Sequence, residues 1–158
     1  VSRYAENTSV AAEKSRMEIE STLRRYGADE FAYMTNKTQA TVAFIAEGRR
    51  VKFVLAMPDP TSREFTHTPE RRNARSPQQA EAAWEQATRQ RWRALALVIK
   101  AKLEAVEAGI TEFQDEFLAH IMLPDGSTVG ERMVAHLDEL YAGQPLALMP
   151  ASTDRSGS

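Results

Sequence analysis

The assignment of the architecture turns on the segment Trp92-Arg-Ala-Leu-Ala-Leu-Val-Ile-Lys-Ala-Lys-Leu-Glu-Ala-Val106. Trp92, Ala96, Ile99, Leu103 and Val106 recur at steps of four and three, the seam of an amphipathic helix. Leu95 and Val98 widen that seam, which predicts burial of much of residues 92–106. Upstream, Ser76-Pro77-Gln78-Gln79 supplies an N-cap, a proline at the first helical position and the partner of a capping box. Downstream, Gly109 offers the left-handed stop. The expectation is one long helix over Pro77–Ala108.

A helix with so wide an apolar face needs a partner surface, and the residues before it supply one. Val51, Phe53, Leu55 and Met57 alternate with Lys52, Val54 and Ala56, the period of a strand. Phe31–Met34 and Ala40–Ala46 read as two further strands, with Asn36 and Glu47-Gly48-Arg49 at the turns. Short connections favour an antiparallel meander. Ahead of the strands, Ser9 reads as a cap and Val10–Tyr26 as a helix closed by Gly27, with residues 1–8 as a short arm. Arg24 and Arg25 fall in its last turn, where cations complement the helix dipole.

Pro58-Asp59-Pro60 ends the sheet. Residues 58–76 then read as a long, mobile, exposed loop carrying Arg63, His67, Arg71, Arg72 and Arg75. Beyond Gly109, Thr111-Glu-Phe-Gln114 and Thr128-Val-Gly-Glu131 are two more capping boxes. They predict helices to about Met122 and about Ala142, separated by the Pro124-Asp125-Gly126 turn. The fold class is α+β: a three-stranded antiparallel meander packed by an N-terminal helix and a long central helix, with a helical C-terminal half, in the order α-β-β-β-α-α-α. Residues 1–150 form a single domain, and residues 151–158 a small, polar, disordered tail.

Charge is unevenly distributed. Residues 49–102 hold twelve Lys/Arg against five Asp/Glu, net +7, and residues 103–158 hold two against ten, net −8. Two readings stay open: an anionic partner for the basic segment, or mutual neutralisation of the two segments. On the long helix, Arg89, Arg93 and Lys100 share one narrow arc beside the seam, while Arg91 and Lys102 lie on another. With Arg63, Arg71, Arg72 and Arg75 of the loop they form the candidate nucleic-acid-binding set, suited to phosphate contact without base reading. Phe65 and Trp84 are candidates for stacking on bases, with core burial the commoner role for Trp84. The crowding of Glu104, Glu107, Glu112, Asp115 and Glu116 points instead to a protein-docking or homodimer surface, or to a solvated face.

Motifs for catalysis are missing. There is no phosphate-binding Gly-x-x-x-x-Gly-Lys loop, no dinucleotide Gly-x-Gly-x-x-Gly and no nucleophile elbow. The order α-β-β-β-α also begins many divalent-metal nucleases, but the second strand has no acid and Lys52 has no acid two residues before it. It is also the order of the double-stranded RNA-binding domain, whose lysine cluster at the second helix start is replaced here by Gln78-Gln79-Ala80-Glu81-Ala82. Glu116 with His120, and His136 with Asp138 and Glu139, do not have a metal-site spacing, and no cofactor is expected. With no cysteine, disulfides and thiolate zinc sites are excluded. No apolar run approaches a membrane span, and a polar N-terminal stretch predicts a cytoplasmic protein.

The run Arg89–Gly109, followed by Glu116-Phe-Leu-Ala-His120 and Leu123-Pro-Asp-Gly126, resembles small proteins of tailed bacteriophages, as does Glu13–Glu20 with Arg25-Tyr-Gly27. The resemblance covers most of residues 1–150. It implies a phage origin and the cytoplasm of an infected bacterium, and carries no functional residues. The expectation is therefore a non-enzymatic phage accessory protein that contacts DNA or RNA through its Arg-rich loop and helix. The alternative is a module that binds and inhibits a host protein through its acidic helical half. A homodimer is compatible with either, and no membrane partner is expected.

Overall fold

The computed structural model describes residues 3–70, 73–145 and 147–148, with side chains from residue 12 onward. The elements are α1 (Arg3–Arg25), β1 (Glu30–Thr35), β2 (Gln39–Ala46), β3 (Arg49–Ala56), α2 (Arg63–Thr66), α3 (Pro77–Glu107), α4 (Phe113–Glu116) and α5 (Val129–Tyr141). A single 3-10 turn, Leu118–His120, follows α4. The expected disordered tail, 151–158, lies outside the described residues.

The sheet is the predicted meander, in the order β1-β2-β3 and antiparallel throughout. Glu47 and Gly48 both adopt positive φ, 51° and 69°, at the two central positions of the β2–β3 turn. That handedness matches the strand twist, and it is why a glycine sits there. At the other turn the Asn36 carboxamide oxygen accepts from the Thr38 and Gln39 amides, both at 2.9 Å.

One sheet face carries the core. Ala40, Val42, Phe44 and Ala46 of β2 and Val51 and Phe53 of β3 are buried against Ile19 and Leu23 of α1 and Trp92, Ala96, Ile99 and Leu103 of α3. The four-three seam of α3 is thus the spine of the fold. Leu95 joins it, but Val98 does not: it stays 45% exposed, since its arc leads away from both α1 and the sheet. The α3 capping box forms as read, with the Ser76 hydroxyl accepting from the Gln79 amide at 3.2 Å. Gly109, at φ 73°, closes the helix, and Ile110 N donates to Ala105 O.

Three expectations are corrected. α1 begins at Arg3, so Ser9 lies inside the helix and residues 3–8 are no arm. A mid-helix serine costs only a fraction of a kcal/mol, roughly 0.5 relative to alanine, and does not stop a favourable run. The described residues of the long loop are not an open coil: they include α2 and fold back on one another. Phe65 of α2 is buried, His67 pairs with Ala74, and the Arg75 guanidinium donates to the Glu64 and Phe65 carbonyls. The third correction concerns Thr111, whose capping box does not form: α4 is capped at Glu112 without a side-chain bond and lasts only to Glu116. The chain leaves the helix because β3 has a free edge to satisfy. Met122 N donates to Arg50 O at 2.7 Å, and Ile121 bridges Val51.

Candidate interaction surfaces

The basic segment meets the acidic half through four cations, and all four are engaged. Arg49 donates twice to Gln114 Oε1, at 2.9 and 3.2 Å. Arg50 reaches Leu123 O, and Lys52 Nζ reaches Gly126 O at 2.7 Å. Half-buried Lys102 holds both the carbonyl and the carboxylate of Glu116, at 3.1 and 3.0 Å. Two more cations are tied down elsewhere, Arg75 as above and Arg91 on Ala56 O at 2.7 Å. Much of the net positive charge of residues 49–102 therefore joins elements together.

Of the candidate nucleic-acid set, Arg89, Arg93 and Lys100 lie on one exposed arc of α3, as their spacing predicts. Arg89 has Glu85 4.0 Å away, with the carboxylate largely covered, and Lys100 has Glu104 at 3.9 Å on open surface, both long pairs along the helix. Arg93 has no ion pair among the described residues. Arg63 is exposed at the start of α2, well apart in sequence from that arc. Arg71 and Arg72 lie outside the described residues. The two aromatic stacking candidates are withdrawn: Phe65 is buried, and the Trp84 indole donates to Pro58 O at 2.6 Å.

The acidic crowd is divided in the same way. Glu104 and Glu116 face lysines, while Glu107, Glu112 and Asp115 line open grooves beside the β2–β3 turn. His120 stacks on Phe53 with ring centroids 4.1 Å apart. Burial pushes its pKa down, helped by the nearby Lys102 charge and opposed by a hydrogen bond with the Lys52 backbone. Its ring thus packs at the edge of the core. His136 faces Glu139 at 3.3 Å on open surface.

A different surface emerges at the C-terminal end. α5 is well made: the Thr128 hydroxyl accepts from the Glu131 amide, and Glu131 Oε2 accepts from the Thr128 amide at 2.9 Å. Its start is pinned by Val129 N donating to Ile121 O, and by Gly130 lying close against Ala119. Yet none of its 13 residues is buried. Met133, Val134, Leu137, Leu140 and Tyr141 all stand 45–66% exposed. At about 100° per residue they share one face, because 133, 137 and 140 step by four and three and 134 and 141 flank them. The four-three spacing of Met133, Leu137 and Leu140 is present in the sequence, but periodicity alone does not tell a face that is covered from one that is not.

The sheet has a second open face. Met34, Thr41 and Val54 form one cross-strand row and Ala32, Ala43 and Lys52 the next. Met34 is 63% and Val54 49% exposed. Asp125, in the turn that folds toward this face, has its carboxyl lowered to about 2 by hydrogen bonds from Ser127 and Arg132.

No family model matches the chain, and no curated protein or solved structure is significantly similar to it. No helix among the described residues is long and apolar enough to cross a membrane.

Proposed function

We propose that this is a protein-interaction module that works through α5. The observation that carries the reading is a helix opened by a capping box, with five large apolar side chains on one face that the described residues leave 45–66% exposed. A helix this short is marginal by itself in water, so an uncovered apolar face on it is a feature that a partner surface completes. Laying that face into an apolar groove is a standard recognition mode, with anchors at i, i+4 and i+7. Here Met133, Leu137 and Leu140 are the anchors. Glu131, Asp138 and Glu139 make the helix net acidic and would set the charge preference. The phage resemblance of residues 89–126 makes an infected bacterium the setting for this reading, with a host protein among the partners.

The test is capture from bacterial lysate by a tagged chain. Wild type is expected to retain a protein in near-stoichiometric amount that Leu137→Glu/Leu140→Glu loses. Equal capture by both would remove α5 from the account.

A second reading keeps nucleic acid as partner, through Arg89, Arg93 and Lys100 on one arc of α3. It requires gel-shift binding to DNA or RNA at about 50 mM salt that weakens steeply by about 200 mM. Absence of any shift at the lower salt excludes it.

A further inference from the structure

The partner of α5 is the question that the docking reading leaves open, and the chain itself carries a surface of the right kind. The geometry points to a second copy of this chain: α5 of each protomer crosses the open sheet face of the other in a reciprocal exchange.

Three features favour this occupant. First, the shapes are complementary. The open face offers Ala32, Ala43 and Ala56, small residues that let a helix lie close, with Met34 and Val54 exposed on either side of buried Thr41. A sheet face of that composition is stable when another layer covers it. An apolar dent of about 190 Å3 beside Ile45 and Met122 gives a place for a large side chain to enter. Thirteen residues of helix extend about 20 Å, enough to cross three strands spaced about 4.8 Å apart.

Second, the charges are complementary. Residues 129–141 hold Glu131, Asp138 and Glu139 against Arg132. At the covered end of the sheet face, Arg50 and Lys52 donate only to carbonyl oxygens, so neither charge has an ion pair among the described residues. Glu30 lies in the same cross-strand row as Arg50, and Asp125 of the adjoining turn is paired with Arg132, so Arg50 and Lys52 are the cations there with no ion pair among the described residues.

Third, reciprocity solves a size problem. One helix on one sheet buries less than the roughly 1,600 Å2 typical of a stable interface. Two identical contacts about a two-fold axis double the area, and exchange of an identical element is a low-cost route to such a dimer. The turn that launches α5 lies at the β3 edge, where Met122 pairs with Arg50.

The inference rests on the docking reading, and its test separates the two. Light scattering of the full chain at about 5 and 200 μM is expected to give twice the 17.7 kDa of one chain at the higher concentration. Leu137→Glu on α5 and Val54→Glu on the sheet should each weaken association at least tenfold, with unchanged circular dichroism. An equimolar mixture of the two variants should associate more tightly than either alone, because it restores one undamaged helix-on-sheet contact. Weakening by Leu137→Glu but not by Val54→Glu overturns the sheet seating in favour of α5 pairing with α5. A wild-type monomer at both concentrations overturns the second copy altogether. In that case the docking reading still stands if the lysate capture depends on Leu137, and falls with it otherwise.

Discussion

His120 shows how a single side chain can look functional in the sequence and be structural in the fold. Its ring lies on Phe53, and its pKa is lowered chiefly by burial, then by Lys102. A lowered value means that the unfolded chain binds the proton more readily than the folded one. The stabilisation is therefore complete above the unfolded value of about 6.5 and declines as pH falls through the folded value. Urea midpoints measured from pH 7.5 to 5 should drop for wild type, and the part of that drop due to His120 should vanish in His120→Gln. Trp92 is the other residue with a definite forecast. It is 1% exposed, with Tyr33 against its ring at 5.3 Å, and Arg16 caps Tyr33 in turn at 3.5 Å. Trp92→Ala should cost about 3–5 kcal/mol in denaturant unfolding, as a large buried aromatic does. Trp92 was legible as core from periodicity alone. Phe65 was not: a lone aromatic in a polar, proline-rich stretch gives no period, and its burial accompanies the packing of α2 on α3, which a local window does not show.

At the scale of elements, caps were readable where nothing competed with them. Ser76 and Thr128 form their boxes, and the helices after them run about as expected. Thr111 has the same pattern but its box does not form, and the helix after it ends early, ahead of residues 121–122, which pair with the free edge of β3. That pairing is invisible in a local window. The same geometry makes α5 separable from the core. A Cβ at Gly130 would lie 2.8 Å from the Ala119 carbonyl oxygen, inside any tolerable contact. Gly130→Val is expected to unseat α5 while leaving the sheet intact, read as lost amide protection in residues 129–141 and retained protection in β2. Thr128→Ala should act more gently, fraying the first turn of α5 and costing about 1 kcal/mol of helix stability.

Across the whole molecule, the basic segment is tied to the acidic half mostly through neutral amide and carbonyl oxygens, with Lys102–Glu116 the ion pair between separate elements among the described residues. Arg49, Arg50, Lys52 and Lys102 all reach into residues 114–126. The segregation of charge was plain in the sequence, but its meaning was not, since pairing across 65 to 74 residues of chain is set by the fold. Among the described residues, the surfaces open to a partner include the arc of Arg89, Arg93 and Lys100, the apolar face of α5 and the outer face of the sheet. The central claim is that α5, rather than that basic arc, makes the contact. It is tested most directly by co-producing a tagged and an untagged chain in bacteria and weighing all protein retained by the tag. Three forms would be compared: wild type, Leu137→Glu, and Arg89→Ala/Arg93→Ala/Lys100→Ala. The account predicts at least a tenfold loss of retained protein for Leu137→Glu and wild-type amounts for the triple variant. Full retention by Leu137→Glu, with loss in the triple variant, would contradict it.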